Sequence, residues 1–470
     1  IVALSKAGLC EDLEFVTEML ADDLQGTALE GAPIVPVSAP TGFGMELLKE
    51  TIANTLLETP APRNFGHPRL AVDRAFSPKG VGTVVTGTLA GGELKTGDSL
   101  IAYPSGLKTS VRAIQNHSSS VDHAMPGMRT ALNLPDLPLT SKGKKGVSRG
   151  NLLVGGSLAE ASYEVDAELI RSVRPIPGQK GTLRPLKSNH RIYVHHGSGR
   201  TQARVLFPEG NTLHPGESTI AQLRFDHPVH SFVGERIVIR ELSGEATIAG
   251  GTILDAHPSR RNFRGADRQL FLTERATAPD DLQLLLRTHL IRDHFLTEAD
   301  LVQALPFSPA GIKAALKKMT KANEVVALGG KYLSFAPYWK GLVKESSQLV
   351  QEYHKKHPDQ IGMTTELFKK SMGAPMGIPG LLEALLIQLS EKNFKVGDNL
   401  ICHNSHSLEL PPELEAPAAE ILKTLDNAGL NPPLPGELQG TPSHTAAYKF
   451  LSRTRQIIPL EPKVTVSAGV

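Results

Sequence analysis

The chain has 470 residues, of which 40% are hydrophobic and 21% charged, and its formal net charge is +2. This length exceeds one ordinary hydrophobic core, so several domains are expected, and the overall charge gives no general preference for nucleic acid or membrane. Two cysteines exclude a disulfide framework, and the longest apolar run, at 381–389, is too short to span a bilayer. Residues 1–4 do not resemble a signal peptide, so a cytoplasmic protein is expected.

Residues 1–58 are predicted to form a strand, a helix, a second strand and a second helix. Two short apolar runs, at 1–4 and 33–37, are each followed by leucines at helical spacing. Two parallel strands alone would leave unpaired edges with little cover from the helices. We therefore expect the C-terminal remnant of a larger α/β domain, in a chain that is truncated.

The loops after these two strands resemble the guanine-binding loops of GTPases. A loop of the N-K-x-D type packs its lysine over the base, and its aspartate accepts two guanine N–H groups. In "SKAG", Lys6 takes the lysine position and Gly8 the aspartate position, and "PVSAPTG" places Ser38 and Ala39 where a backbone N–H meets the guanine oxygen. Loss of the carboxylate is expected to reduce guanine preference by roughly one to two powers of ten.

The sequence lacks the phosphate-binding pattern G-x-x-x-x-G-K-[ST]. Without it, no loop of backbone N–H groups with a lysine can cradle the phosphates of a nucleotide. The segment "DNAG" (426–429) mimics a magnesium-binding D-x-x-G pattern, but it lies at a predicted helix end and is attributed to chance. The chain alone is therefore expected not to hydrolyse GTP, and no catalytic residue is assigned.

From residue 69 onward, short β-branched runs replace the helical spacing. "GTVVTGTL" and "RIVIREL" are typical of strands, and "KTGDSL" and "HPGES" supply turn residues. The proline-rich linker "LETPAPRNFGHP" (57–68) marks the start of this region, because helix does not continue through it. We predict two antiparallel β-barrels, over 66–138 and 148–258.

The C-terminal part of the chain returns to helical spacing and repeats three times. Each repeat has a helix, a shorter helix, a third helix with Lys or Arg, and a β-rich stretch with a turn, which is the order of winged-helix domains. We predict three of them, over 279–338, 339–410 and 411–470. Ser308, followed by Pro309, is a typical N-cap within the first.

The third helix of the first repeat carries lysines at every fourth position. Lys313, Lys317 and Lys321 share one face, opposite Ile312 and Leu316. A winged-helix protein presents this helix to phosphates, so these lysines are candidates for RNA binding. The alternative is an ordinary solvated helix face.

Four segments resemble one family. "LAVDRAFSPKGVGTVVTGTLAGGELKTGD" resembles the second domain of translational GTPases, in the version found in selenocysteine-specific elongation factors. "RIYVHHGSGRTQARV" and "IVIRELSGEATIAGGTILDAHPSRR" look like the third domain of that family, and "EYHKKHPDQIGMTTELFKK" resembles the start of its second winged helix. The resemblance extends over nearly the whole chain.

This resemblance implies a P-loop GTPase domain, two barrels like domains 2 and 3 of elongation factor Tu, and four winged helices. The chain would hold the end of the GTPase domain, both barrels and three winged helices, and the fourth, which grips the selenocysteine insertion hairpin of the messenger RNA, would begin after Val470. The implied partners are selenocysteinyl-tRNA, the ribosome and that hairpin. GTP and Mg²⁺ would serve the full-length family member, and no cofactor is expected for this chain alone.

The resemblance also implies a pocket that distinguishes selenocysteine from serine. It maps onto Asp73 and Arg74 in "VDRAF", onto Arg129 in "PGMRTALNL", and onto His117. A selenol is largely ionised at neutral pH and a serine hydroxyl is not, so arginines can select the anion while Asp73 holds one of them in place. Alternatively, Asp73 and Arg74 form a surface ion pair of little energetic value.

Two other functions remain open, a winged-helix DNA-binding regulator and a general translational GTPase. Two barrels ahead of the helical repeats argue against the first, and the repeats themselves against the second. No metal site is predicted. The neighbouring histidines His195 and His196, and Cys402 with His403 and His406, lack the spaced second pair of a structural zinc site.

Overall fold

The computed structural model describes residues 1–27, 29–141, 144–156, 158, 160–173, 184–243, 246–258, 261–397, 399–428, 432–461 and 464–468. The chain forms two compact units. One comprises Ile1–Thr288 and Ala299–Ala315, the other His289–Glu298 and Leu316–Val470.

The N-terminal segment is a parallel strand pair with a helix after each strand. Its elements are β1 (Val2–Leu4), α1 (Leu13–Asp23), β2 (Ile34–Pro36) and α2 (Met45–Glu58). Val2 pairs with Ile34 in a parallel ladder. Asp12 caps α1, since its carboxylate accepts a hydrogen bond from the Phe15 N–H at 3.0 Å. The predicted order of elements in residues 1–58 is confirmed.

The first β domain is an antiparallel sheet of eight strands, in the order β7-β6-β12-β3-β4-β11-β8-β9, with a separate two-stranded pair of β5 and β10. The strands are β3 (Arg69–Phe76), β4 (Val84–Ala90), β5 (Leu94–Lys95), β6 (Ser99–Tyr103), β7 (Leu107–Ser110), β8 (Ala113–Asn116), β9 (Ser119–Val121), β10 (His123–Ala124), β11 (Arg129–Asn133) and β12 (Leu152–Val154). Alternate residues such as Val72, Val85 and Leu132 are buried in one core. The opposite face of β3, β4 and β11 is left for polar side chains.

The boundary between the two β domains lies later than the sequence predicts. The predicted second barrel starts at 148, yet Leu152 pairs with Ala71 on one side and with Tyr103 on the other, both in the first sheet. Strand β12 is only three residues long, and its apolar side chains complete the first core. Such a short run cannot be assigned to one of two neighbouring sheets from its composition.

Gly87 allows strands β3 and β4 to approach closely. A Cβ added at Gly87 would lie 2.3 Å from the backbone oxygen of Ala71 on β3. We expect Gly87→Ala to destabilise the first β domain by about 1–3 kcal/mol, because the strands must separate to admit a methyl group. Gly106→Ala is the control: it has φ 74° and open space around it, so only the backbone strain of about 1–2 kcal/mol applies. Urea unfolding measures both changes, and a smaller loss for Gly87→Ala than for Gly106→Ala would contradict the packing argument.

The second β domain is a closed barrel with strand order β13-β18-β16-β15-β19-β20, accompanied by the pair β14 and β17. Its strands are β13 (Ser162–Arg171), β14 (Leu186–Lys187), β15 (Arg191–His196), β16 (Gly199–Leu206), β17 (Thr212–Leu213), β18 (Ser218–Val229), β19 (Arg236–Arg240) and β20 (Thr247–Asp255). Val165, Val194 and Leu223 are among the fully buried residues that fill it. Closure leaves no open sheet edge between β13 and β20.

A helix that the sequence does not predict, α3 (Ala266–Thr277), follows the second barrel. Its Arg268 donates hydrogen bonds to the Asp166 and Asp255 carboxylates, each at 2.6 Å, and we call these contacts the α3 clamp. Both carboxylates are buried. Gln222 donates a further hydrogen bond to Asp166 at 3.0 Å, and the buried Arg275 donates one to the Leu254 carbonyl at 2.9 Å. The clamp fixes the first helix after the barrels onto barrel strands.

The helical C-terminal region has two stretches with the same order of elements. They are α4 (Leu282–Asp293), β21 (Leu296–Thr297), α5 (Glu298–Ala304), α6 (Pro309–Lys321), β22 (Val325–Leu328) and β23 (Tyr332–Phe335), then α7 (Ala336–Lys356), β24 (Met363–Thr364), α8 (Thr365–Met372), α9 (Leu381–Ser390), β25 (Phe394–Val396) and β26 (Leu400–His403). Each stretch contains a three-stranded antiparallel sheet with its last strand in the middle. Helix α7 begins at Ala336, before the predicted boundary at 338.

The last 60 residues contain α10 (Pro412–Ala428), α11 (Pro442–Arg453), β27 (Ile457–Glu461) and β28 (Val464–Ser467). The sequence predicts a shorter helix between α10 and α11. Over 432–441, however, the chain forms turns and irregular backbone, in keeping with the prolines at 432, 433 and 435. Nowhere in the described ranges is a helix both long and apolar enough to cross a membrane.

Candidate functional site

The candidate site lies on the exposed face of β3, β4 and β11, which are neighbours in the first sheet. The pairing of β3 with β4 is regular up to Val72 opposite Gly87 and then shifts, so that Arg74 lies opposite Thr86. Asp73 is the extra residue in this β-bulge. A bulge redirects the side chain that it carries, and here the Asp73 carboxylate reaches across β4 towards β11.

Asp73 and Arg129 form a bidentate ion pair across β4. Arg129 donates from Nη1 to Oδ2 and from Nη2 to Oδ1, the second at 3.3 Å, and the Thr86 hydroxyl donates to Oδ1 at 2.5 Å. Burial acts to raise the pKa of Asp73, but the hydrogen bonds from Arg129 and Thr86 and the positive charges of Arg129 and Arg74 outweigh it and lower that pKa below its ordinary value. Asp73 is therefore a carboxylate at neutral pH.

Arg129 and His117 line the same cleft, whose volume is about 350 Å³. The lining residues are Thr86, Gln115, His117, Ser118, Arg129, Thr130 and Ala131. The Arg129 side chain is 56% exposed, so its guanidinium has donors available to a ligand in addition to those held by Asp73.

His117 lies at the tip of a strained hairpin. Asn116 on β8 pairs with Ser119 on β9, which leaves a two-residue turn with φ 47° at His117 and φ 64° at Ser118. Such turns favour Asn and Gly, since other residues lose about 1–2 kcal/mol each in this conformation. The strain is confined to this turn, and His117 and Ser118 both line the cleft. The Asn116 amide also donates to the Arg129 carbonyl at 2.8 Å, which ties the hairpin to β11.

The structure brings together three of the four residues that the sequence assigns to the pocket. Asp73 and Arg129 are in direct contact, and His117 lines the cleft with Arg129. Arg74 is exposed beside them, where its charge contributes to the low pKa of Asp73, and it is not part of the cleft lining. The sequence predicts two arginines in the pocket. In the structure Arg129 lines the cleft and Arg74 lies outside it.

Thr86, Asn116 and Gln115 also belong to the site, and no sequence pattern indicates them. Thr86 lies in the strand run "GTVVTG", which reads as ordinary β-structure, and its contact with Asp73 depends on a bulge that no local sequence pattern marks. Alternation along β4 indicates only that Thr86 faces away from the core.

A second cleft, of about 720 Å³, lies between the two β domains. Arg149, Arg200, His195, His196 and His230 line it, together with backbone of two glycine-containing turns. The two turns touch, because a Cβ added at Gly150 would lie 3.3 Å from the Cα of Gly199. The Ser198 hydroxyl also donates to the Val72 carbonyl of β3 at 2.7 Å. Burial and nearby arginines lower the pKa of His195, so its neutral form prevails at pH 7. The cleft offers two arginines to an anionic ligand.

The two loops of the predicted guanine site are adjacent. The Ala7 N–H donates to the Val37 carbonyl at 3.0 Å, and a Cβ at Gly8 would lie 3.4 Å from the Ser38 Oγ. Lys6 has φ 62°, and Ser38 is buried. Lys6 and Ser38 thus lie on neighbouring loops, but no carboxylate occupies position 8, and Ala39 is exposed. These residues do not fit a complete guanine nucleotide site, and we derive no chemical step from one.

Helix α6 presents the predicted lysine face. Lys313, Lys317 and Lys321 are exposed, whereas Ile312 and Leu316 are buried. The periodicity of the helix is therefore as predicted. Its positive face is available to phosphates.

The histidines near the end of α7 form a stack. The rings of His354 and His406 are parallel within 14° with centroids 3.9 Å apart, and the His403 N–H donates to the His354 Nε2 at 3.1 Å. Burial and the two neighbouring histidines lower the pKa of His354 to about 4. Throughout the described ranges, no group of three or more His, Cys, Asp or Glu is arranged to hold a metal ion.

A family model described as "Selenocysteine-specific elongation factor, beta-barrel domain" matches residues 178–260. The selenocysteine-specific elongation factor of Desulfomicrobium baculatum is 32% identical over 454 residues, covering 92% of this chain and 67% of the relative. That of Escherichia coli K12 is 29% identical over 415 residues, covering 87% of this chain and 61% of the relative. The chain thus spans about two thirds of the length of these relatives.

A crystal structure of a bacterial selenocysteine-specific elongation factor also matches. It aligns with 99% of this chain and 71% of its own, with a TM-score of 0.59 and 22% sequence identity. At that identity the likeness establishes the fold alone. It agrees with a multidomain arrangement of β-barrels followed by a helical region.

Proposed function

Because this chain belongs to the family of selenocysteine-specific elongation factors, we propose that it binds selenocysteinyl-tRNA and delivers it to the ribosome at recoded UGA codons. The observation that carries the proposal is the ion pair of Arg129 with Asp73 at the mouth of a cleft of about 350 Å³. The aminoacyl side chain enters this cleft. Its charge is read by Arg129.

The chemistry of the cleft favours an anion of this size. The Arg129 guanidinium remains charged at any cellular pH and offers donors to a selenolate, while Asp73 fixes its orientation. A seryl hydroxyl is neutral and gains only an ordinary hydrogen bond. Hydrogen bonds to charged groups contribute about 1.5–3 kcal/mol and neutral ones about 1 kcal/mol, so a preference of roughly two- to thirtyfold is expected.

The cleft between the β domains supports binding of the tRNA acceptor arm. Arg149 and Arg200 supply positive charge there. The cleft that contains Arg129 lies on the first of the two β domains. Backbone phosphates of the acceptor end lie along this cleft when the amino acid enters the pocket. Base sequence is not read there, because phosphate contacts position a nucleic acid without specifying it.

Binding to selenocysteinyl-tRNA and seryl-tRNA of the same sequence tests the proposal. Protection of the aminoacyl ester from hydrolysis gives the dissociation constant for each of the two tRNAs. Each constant is measured with and without GTP. We expect roughly two- to thirtyfold tighter binding of selenocysteinyl-tRNA. Equal affinity would refute the assignment of the pocket.

Three tandem winged-helix domains form the C-terminal arm in this proposal. The element orders α4 to β23 and α7 to β26 each fit one winged helix, and α10 to β28 fits a third with a shortened middle. In this proposal the C-terminal region binds the messenger RNA, and the lysine face of α6 contacts phosphates. A DNA-binding regulator is the competing interpretation of such domains.

The salt dependence of RNA binding tests the lysine face. We expect Lys317→Ala to reduce the slope of log affinity against log salt by about one unit, because one phosphate contact is lost. Lys344→Ala removes an exposed lysine from α7 and is expected to leave the slope unchanged. A hairpin RNA and a duplex DNA are compared in a gel shift, and tighter binding of the duplex would favour the regulator.

GTP is the nucleotide of the whole protein in this proposal, as in a translational GTPase. Lys6 and Ser38 are the candidate remnants of its guanine site in the present chain. Their part is limited to packing against the base and offering a backbone N–H. Micromolar GTP binding by this chain would show that position 8 does not need a carboxylate.

A further inference from the structure

Thr86 occupies the strand between the two members of the ion pair. It lies on β4, opposite Arg74 of β3 on one side and Ala131 of β11 on the other. Its side chain lines the cleft of about 350 Å³.

The hydroxyl of Thr86 is committed to Asp73. It donates to Oδ1 at 2.5 Å, and the same oxygen accepts from the Arg129 Nη2 at 3.3 Å. A hydroxyl has one proton, so only its lone pairs remain for the cleft, and these repel an anion. Thr86 therefore acts on a bound anion through Asp73 and Arg129 and not by direct contact.

Asp73 needs such a partner because it lies in the bulge. A carboxylate on an irregular strand can rotate about its terminal bond, which has a broad energy minimum. The Thr86 hydroxyl fixes that rotation, and the fixed carboxylate holds both Nη atoms of Arg129. The plane of the guanidinium is then fixed, and with it the directions of its three remaining N–H donors.

We propose that Thr86 is a positioning residue for amino acid discrimination: it orients Asp73, and through it Arg129, so that the guanidinium meets an anionic side chain in the cleft. The inference rests on the proposed function. It adds a specificity-determining side chain to a pocket otherwise described by its charged residues.

Three variants of the full chain test the inference. Thr86→Val keeps the shape and removes the hydroxyl, Thr86→Ser keeps the hydroxyl, and Thr88→Val changes the next exposed threonine on the same face of β4, which faces a different cavity. Dissociation constants for selenocysteinyl-tRNA and seryl-tRNA are measured by protection of the aminoacyl ester. Circular dichroism confirms that each variant folds.

The expected result is a change in the ratio of the two constants. Thr86→Val is expected to lower the preference for selenocysteinyl-tRNA about five- to tenfold by weakening that complex alone, since one hydrogen bond to a charged group is lost. Thr86→Ser should restore the preference to within about twofold of the parent, and Thr88→Val should match the parent, because neither change removes that bond.

The outcomes separate this inference from the proposed function. A parent that discriminates, together with a Thr86→Val variant that discriminates equally well, overturns the positioning role alone. A Thr86→Val variant that loses affinity for both tRNAs to the same extent also overturns it, because that result indicates a structural role. A parent that binds both tRNAs equally overturns the proposed function itself.

Discussion

Replacing Arg129 with alanine is expected to reduce the affinity for selenocysteinyl-tRNA by about 10²-fold and to leave seryl-tRNA within a fewfold of the parent. The substitution removes a charged donor worth about 1.5–3 kcal/mol and exposes the unpaired Asp73 carboxylate to a negatively charged ligand. Both effects act on the selenolate and spare the hydroxyl. The two dissociation constants, measured at one salt concentration, check this.

Two further variants define the origin of that effect. Arg129→Lys keeps the positive charge but lacks the planar fork that binds Asp73 through two nitrogens, so an intermediate loss is expected. Arg112→Ala removes an exposed arginine from the same domain, outside the cleft, and should not change the preference. If Arg112→Ala lowered the preference as much as Arg129→Ala, general charge and not the pocket would be responsible.

Replacing Arg268 with methionine is expected to destabilise the unit containing the barrels by about 3–5 kcal/mol. Arg268 is the cation of the α3 clamp. Its loss removes the ion pairs that it makes with the buried Asp166 and Asp255 carboxylates, and a buried charge that loses its partner is strongly destabilising. Urea unfolding followed by circular dichroism measures the change. Arg191→Met breaks the partly exposed pair with Asp226 and should cost no more than about 1 kcal/mol.

The pH dependence of this loss has a definite sign. Burial raises the pKa of Asp166 to about 6, although Arg268 and Gln222 act to lower it. A folded pKa above that of the unfolded chain means that the folded state holds the proton more tightly, so this carboxyl lowers stability as pH rises from about 4 to 6. Without Arg268 its pKa rises further. The cost of Arg268→Met should therefore be larger at pH 7.5 than at pH 5, and a cost independent of pH would contradict this account.

The sequence predicts which regions are rich in strands and which in helices, because each region has its own periodicity. Alternation marks the barrel strands, and leucines at helical spacing mark α1 and α2. It fails for β12, where three apolar residues fit either sheet, and for α3, whose formation depends on buried carboxylates contributed by distant barrel strands. Long-range contacts decided both elements.

The site was predictable to the extent that charge and family resemblance identify it. Asp73, Arg129 and His117 are far apart in sequence, and the resemblance alone groups them. In the structure, Arg129 and His117 line one cleft and Asp73 pairs with Arg129. The resemblance maps the pocket onto Arg74 as well as Asp73, whereas in the structure Arg74 is exposed next to the bulge and does not line the cleft. Thr86 could not be found, because a threonine in a strand is common and its partner is determined by register.

The return of the chain to the first sheet through β12 limits how the molecule can be divided. A fragment ended at residue 147 would omit that strand and leave β3 and β6 each with one row of backbone amides and carbonyls facing solvent, a surface that promotes aggregation. Isolating the first β domain for crystallisation or spectroscopy therefore requires cleavage after Val154. The division between the two β domains falls between β12 and β13.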